Sequence, residues 1–471
     1  MEAAVTTART RLRRRRLPVT RAMLAPAGAS IALGAIAAGC LLVVLASVHG
    51  RSFLAPTLHR THPGWMTWPF GDLWSRHRPD RQTLQTGLLV ALVGMTACYL
   101  LALWLAPRVR LAVVGGLVAL TYVILFLSPP LLLTDVFNYV EYSRMGAIHG
   151  INPYTHIPAM GMRHDPVWKI SNWHHLRSPY GPAFTLMTYA LAPLGVAGAY
   201  WGYKALLLGV SLACAWLVVL IARRLGRSPG RAVVLVMLNP LVLIYGAGGQ
   251  HMDPFNLVFL LAAIYLGLTY REAIGSAAVA AAAAVKASAA ALVPVAVAGT
   301  HRRRQSLVGF AVGAALLGAA VLVAFGPHLP AVRAQSRLVT PYSIPNVLGW
   351  LAGQGGETAA VRSVCHAILA LAVVACTVWA WRTRDMIAPL GWLTLATVVT
   401  LGWDMPWYLL WLLPFVAFVR GRAFRIASVV VALWLTLQWL PMSSRAAHAL
   451  GLSPGGHVWK QNKEYIHSLL H

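Results

Sequence analysis

Acidic side chains are scarce in this chain: Asp and Glu together number 12 in 471 residues. Three of them, Asp135, Asp253 and Asp404, fall where a long apolar run stops or starts. A carboxylate at such a boundary is unfavourable unless it is paired, wetted or put to use, so each is a candidate functional group. For a single Asp the plain alternative is a helix cap. The stretch Thr134–Tyr154, TDVFNYVEYSRMGAIHGINPY, asks for more than a cap, because it gathers Asp135, Asn138, Tyr139, Glu141, Arg144, Asn152 and Tyr154. Aromatic faces cover sugar C–H surfaces, and carboxylates and amides accept from hydroxyls, so this mixture suits a carbohydrate. A positioned carboxylate can also take a proton as general base.

Two further constellations stand out. GGQHMDP at 248–254 puts His251 and Asp253 just after two glycines. A tight turn with a capping Asp explains it, and one His and one Asp are a poor metal set, so no metal site is expected. Lys286 lies in an Ala-rich apolar tract, where it must snorkel, pair or reach a polar cavity.

The elements that position these residues are membrane helices. The chain is 58% hydrophobic and 11% charged, with mean hydropathy +0.65, and uncharged apolar runs recur throughout. Such runs read as spanning helices, which satisfy their own backbone hydrogen bonds in lipid. The net charge of +27 sits mostly in short loops and in RTRLRRRR at 9–16. That is the positive-inside pattern of a multi-pass protein of the cell membrane, not a nucleic-acid surface. Cys40, Cys98, Cys214, Cys365 and Cys376 all lie in apolar runs without metal-ligand spacing, so neither a disulfide framework nor a zinc site is indicated.

With the N-terminus in the cytoplasm, spans are expected at about 27–48, 84–105, 111–128, 199–222, 232–247, 254–270, 306–326, 359–381, 386–402, 406–419 and 424–440. The apolar stretch 180–195 is too short and interrupted to cross and reads as an interfacial helix. The stretch 275–299 reads as two half-helices with Lys286 near the turn, since small residues let backbones approach closely. Both choices keep the arginines at 223–231 and 302–304 inside. The expected architecture is an all-α polytopic bundle of about 13 helices, short ones included. It comprises a basic cytoplasmic segment 1–26, a membrane domain 27–440 with an outer loop at about 129–198, and a C-terminal tail 441–471. All acids except Glu2, Glu272 and Asp385 then face outward. Asp135 is expected to cap a helix over 136–148, with Phe137, Val140 and Tyr142 toward lipid and Tyr139 and Arg144 toward protein; Gly150 and Pro153 end it.

The segments 134–154, SPYGP (178–182), NPLVLIYGAGGQHMD (239–253) and AAAVKASAAALVPV (282–295), in this order, resemble bacterial polyprenol-phosphate-mannose-dependent mannosyltransferases. The likeness is strongest to the actinobacterial α-1,6-mannosyltransferases that extend mannan on lipoglycans. Weaker echoes are PYSIPNVLGW (341–350) and DMPWYLLWLLP (404–414). The resemblance implies a GT-C class membrane glycosyltransferase with a polyprenyl-phosphate-mannose donor, a lipid-linked glycan acceptor, an extracytoplasmic site and no metal or other cofactor. It implies Asp135 as the base; many relatives have a second acid where this chain has Thr134. On this reading transfer inverts the sugar. Glu141 supports Asp135, and Tyr139, Asn152, Tyr154, Tyr180, Asp253 and Asp404 contact substrate. Lys286, with Arg144 or His251, stabilises the leaving phosphate. A glucose or arabinose lipid donor is the nearest rival reading. A lipid-sugar flippase is the rival from another class, but the inverted repeats of many transporters are not detected. The topology predicts that a cysteine placed at Gly150 reacts with an impermeant reagent in intact cells. One at Ser228 should react only after permeabilisation, and labelling there in intact cells would place 180–195 across the membrane.

Overall fold

The computed structural model describes residues 19–48, 52–56, 62–71, 80–454 and 456–470. The arginine tract at 9–16 and parts of the 49–83 loop lie outside the described residues. Among the described residues every regular element is helical. Helices α1 (Val19–Ser47), α2 (Arg81–Leu105) and α3 (Leu111–Phe126) follow the expected runs, and α1 packs on both of the others. Asp80 caps α2 by accepting from the Thr83 N–H.

After Pro129–Pro130 the chain forms α4 (Asp135–Ala147), a long irregular segment, α5 (Pro182–Tyr189) and the long α6 (Gly195–Arg224). With eight residues α5 rises about 12 Å, far short of a bilayer core. That agrees with a non-spanning 180–195. Helix α4 departs from expectation, because Phe137, Val140 and Tyr142 are buried in protein. The irregular segment wraps one side of α4, where the Tyr142 hydroxyl donates to the Leu176 carbonyl at 2.6 Å. Helix α6 covers another side, with Tyr200 stacked on Phe137.

The run 232–247 is not one continuous helix. Helix α7 (Pro229–Met237) stops before Asn239–Pro240, and Val242–Ala247 form a π-helical turn. Proline disfavours helical backbone at the preceding residue, and the Asn239 side chain accepts from the N–H groups of Leu241 and Val242. Helix α8 (Asp253–Leu268) then starts at the HMDP turn.

The expected hairpin is present. Helix α9 (Glu272–Val285) breaks at Lys286, whose backbone is extended, and the chain returns through a 3-10 stretch, Ala287–Leu292, and α10 (Val293–Ala298). Both arms rise about 21 Å, so their far ends meet. There the buried Glu272 carboxylate accepts from the His301 N–H at 2.8 Å and from the Arg302 N–H.

Helices α11 (Arg303–Phe325) and α12 (Ala359–Thr383) flank the hairpin and leave Leu316, Val323, Leu371 and Val374 exposed, as lipid-facing helices do. Five described segments are long and apolar enough to cross a membrane: Pro26–Ser47, Arg81–Arg108, Ala192–Arg224, Arg303–Phe325 and Ala359–Thr383. The bent pair Arg422–Trp439 and Ser443–Ala449 makes a sixth if it is one span, and the other apolar helices have 10–17 residues. These include α13 (Ile387–Thr400) and α14 (Leu409–Phe418), which precede α15 (Arg422–Trp439).

The segment 441–471 is more than a tail. Its helix α16 (His457–Leu470) lies against loops 173–176 and 331–339. Asn462 bonds both the N–H and the carbonyl of Val339, and Leu469 accepts from the His175 N–H.

The Glu272 clasp has a measurable consequence. Removing a charged acceptor from two backbone donors destabilises by about 2–4 kcal/mol. Glu272→Ala should therefore lower the thermal midpoint of the purified protein by several degrees, and an unchanged midpoint would show that the hairpin ends hold without it.

Candidate active site

Helix α4 begins at Asp135, with Thr134 at the cap position. Asp135 is therefore not the cap; its carboxylate turns into a cavity of about 440 Å³. Oδ1 is 3.4 Å from Trp173 Nε1 and Oδ2 is 3.2 Å from His251 Nδ1. Burial alone would raise its pKa. His251, Trp173 and the charge of Lys286 outweigh that and hold the carboxyl below its ordinary value. The positive end of α4 acts in the same direction. Asp135 is thus held ionised, with 23% of its side chain exposed to the cavity.

His251 is placed by a strained turn. Gln250 adopts φ +59°, a left-handed backbone unusual for a side-chain-bearing residue. Helix α6 holds it there: the Tyr203 hydroxyl donates to the Gln250 carbonyl at 3.0 Å, and the Gln250 amide donates to the Tyr200 hydroxyl at 3.2 Å. The buried Lys204 Nζ donates to that hydroxyl and to the Ser128 carbonyl. Gly249 is required because a Cβ would lie 2.2 Å from the Tyr245 carbonyl and 2.9 Å from the His251 ring. The His251 imidazole stacks on Trp407 at 3.5 Å, and its Nε2 is buried without a partner among the described residues.

Asp253 opens α8 and is almost fully buried. Its Oδ1 accepts from Lys286 Nζ at 2.7 Å and from Trp411 Nε1 at 2.6 Å. The Lys286 ammonium also lies over the rings of Tyr408 and Trp411, at 4.9 and 4.6 Å. The broken helix puts this lysine at the cavity, and the SPYGP turn braces the break. A Cβ on Gly181 would be 2.2 Å from the Val285 carbonyl, so only glycine allows that approach.

Of the residues singled out in the sequence, Asp135, Tyr139, Tyr180, His251, Asp253 and Lys286 line this one cavity. Tyr139 and Tyr180 meet edge to face at 4.7 Å. The others have different occupations. Arg144 is held by Asp165 through Nε and Nη2, so its guanidinium is bound inside the loop and does not reach the cavity. Asn152 donates to the Phe325 carbonyl, and the Tyr154 hydroxyl bonds the Tyr180 carbonyl and Thr185, so both brace the loop. Asp404 ties Thr340 to Gln438 below the surface, and burial pushes its carboxyl up to about 6. Glu141 is fully buried in α4, and neither oxygen has a hydrogen-bond partner among the described residues. Ser171 lies nearby but is engaged with the Trp168 carbonyl and His174.

The aromatic wall was not foreseen: Trp173, Trp403, Trp407, Tyr408 and Trp411 line the cavity. For Trp407, Tyr408 and Trp411 the sequence signal is the spacing of aromatics in DMPWYLLW, which core packing would equally produce; Trp173 and Trp403 lie outside that stretch. Among the described residues no group of three or more His, Cys, Asp or Glu side chains is arranged to hold a metal ion.

Comparison with known proteins gives the class. Residues 32–302 match the family described as alpha-(1→6)-mannopyranosyltransferase, N-terminal domain, and residues 342–452 match the MptB C-terminal domain. The chain belongs to the alpha-(1→6)-mannopyranosyltransferase family and is a glycosyltransferase. It is 25% identical over 391 residues to an alpha-(1→6)-mannopyranosyltransferase of Mycobacterium tuberculosis, a match covering 66% of each chain. It is also 25% identical over 446 residues to alpha-(1→6)-mannopyranosyltransferase A of the same organism, covering 84% of this chain and 81% of the relative. To alpha-(1→6)-mannopyranosyltransferase B of Corynebacterium glutamicum it is 25% identical over 368 residues, 71% of this chain and 56% of the relative. No solved structure matches it.

Glu141 gives a pH test of the site's support. Burial raises its carboxyl from 4.5 to about 8. Across that window the unfolded chain has released the proton and the folded chain has kept it, so stability falls as pH rises. Glu141→Gln removes this titration. The variant should match wild type in thermal midpoint near pH 5 and exceed it near pH 8. A variant less stable at both would mean that the carboxylate is ionised and paired.

Proposed function

We propose that this protein transfers mannose from a polyprenyl-phosphate-mannose donor to a lipid-linked glycan of mannan or lipoglycan type, at the extracytoplasmic face of the cell membrane and with inversion. The observation that carries the reading is Asp135: an ionised, part-exposed carboxylate in an aromatic-walled cavity among apolar helices. The acceptor hydroxyl attacks the anomeric carbon. Its proton passes to Asp135, the C1–O bond to phosphate breaks, and polyprenyl phosphate leaves with the electron pair. A β-linked donor thereby gives an α-linked product.

His251, fixed on Trp407, keeps the Asp135 carboxylate in place. Tyr139, Tyr180 and the aromatic wall face the C–H surfaces of the sugars, and the Asp253–Lys286 pair offers an acceptor and donors to their hydroxyls. The route is written without a metal ion, since protein cations meet the charge on the leaving phosphate. The names of the mannopyranosyltransferase relatives support the sugar, and the exposed apolar flanks of α11 and α12 support a lipid-linked donor.

Asp135→Asn keeps size and shape but not basicity. Purified and assayed with polyprenyl-phosphate-mannose and a lipid-linked mannan acceptor, it should still bind donor and lose about 10²–10⁴-fold in turnover. Near-normal turnover would remove Asp135 from the role of base.

A further inference from the structure

We propose that Arg362 and His366, on the first two turns of α12, bind the phosphate of the polyprenyl carrier, and that the carrier chain leaves the cavity past Leu369 along the lipid-facing flank of that helix. This deepens the reading above and rests on its donor assignment. None of these residues belongs to the motifs that carry the family resemblance.

The first argument is one of charge. Around Asp135 the cavity holds two carboxylates, Asp135 and Asp253, against Lys286 and His251, and Lys286 is already matched by Asp253 at 2.7 Å. A phosphate there would face uncompensated negative charge. Arg144, the other cation expected to meet it, is bound by Asp165. The anion must find its partner elsewhere in the cavity.

The second argument is geometric. Glu357, Arg362, His366 and Leu369 line the same cavity. Spacings of four and three place Arg362, His366 and Leu369 on one face of α12, polar at its start and apolar further along. Glu357 is 4% exposed and its Oε1 accepts from Arg362 Nε at 2.8 Å. That bond fixes the guanidinium while Nη1 and Nη2 have no partner among the described residues. A guanidinium held by one edge presents the other to an incoming anion, in the fork geometry that suits phosphate. Glu357 Oε2 is likewise buried without a partner, against Gly402, where a Cβ would come within 1.9 Å. Burial raises the Glu357 carboxyl above its ordinary value against the pull of Arg362 and His366, which lessens its repulsion of a second anion. The start of α12, where Thr358 caps the Val361 N–H, carries the positive end of the helix dipole.

The third argument is the opening. His366 lines the cavity and is also exposed, and the exposed strip continues from it at spacings of four through Ala370 and Val374, toward the exposed apolar side of the helix. The opening therefore lies on the flank that faces lipid. An interfacial arginine that merely anchors a helix points outward; Arg362 is instead tied down by a buried carboxylate.

The test uses the purified full chain in detergent with farnesyl phosphate, farnesol and inorganic phosphate as probes, read by quenching of tryptophan fluorescence. Wild type should bind farnesyl phosphate far more tightly than farnesol or inorganic phosphate. Arg362→Gln and His366→Gln should each weaken farnesyl phosphate, the arginine variant by about ten- to a hundred-fold, and leave farnesol unchanged. Arg362→Lys should restore part of the loss, and Arg382→Gln, at the other end of α12, should change nothing. Wild-type affinity for farnesyl phosphate in both Gln variants, each with a wild-type thermal midpoint, would overturn the site while leaving the donor assignment standing. Equal binding of farnesol and farnesyl phosphate by wild type would instead overturn the donor assignment, and this site with it. Inorganic phosphate binding as tightly as farnesyl phosphate would reduce the site to a simple anion pocket and also overturn the proposal.

Discussion

The Lys286–Asp253 ion pair is the interaction on which the rest of the site depends. Two carboxylates are held close to one cavity among apolar helices, where an unpaired charge tends to be unfavourable. A single ammonium 2.7 Å from Asp253, its charge also felt at Asp135, offsets that tendency. Removing one member of such a pair strands the other, which is much more unfavourable than never having built it. Lys286 therefore has to arrive from a defined direction. The broken helix, the glycine of SPYGP against the break and the Glu272 clasp at the far end of the hairpin all serve that placement.

The second carboxylate is positioned differently. Asp135 is carried by α4, and α4 is clamped by α6 through aromatic packing and by the wrapped loop through the Arg144–Asp165 pair. The same helix α6 holds the strained Gln250 turn through Tyr200, Tyr203 and Lys204. One rigid helix thus sets both members of the Asp135–His251 contact. Strain at Gln250 persists because three side chains over-determine it.

The irregular loop explains why several polar groups near the site do not face the cavity. Arg144, Asn152 and Tyr154 are each engaged in holding a loop without regular structure against a bundle, and Asp404 ties Thr340 to Gln438. Such a loop has no backbone ladder, so side chains must satisfy its polar groups. This is also why polar composition alone overstates the number of groups that reach the cavity.

What the sequence determined by itself was set by short-range physics. Apolar run length located most of the helices and the shortness of α5; loop charge and small residues pointed to the hairpin with Lys286 at its break; glycines and prolines marked where segments end. Asp135, His251, Asp253 and Lys286 were legible because an ionisable group beside an apolar run needs a reason to be there. Tertiary structure decided the partners. Whether Arg144 meets a substrate or Asp165, whether Glu141 faces a cavity or the interior, and which tryptophans of a tryptophan-rich chain build a wall depend on contacts between residues far apart in sequence. Periodicity reports the face of a helix but not what is packed against it. The family comparison fixed the class of enzyme, and only the packing of α12 beside the hairpin brought Arg362 and His366, which lie outside the motifs that carry the family resemblance, to the same cavity as Asp135.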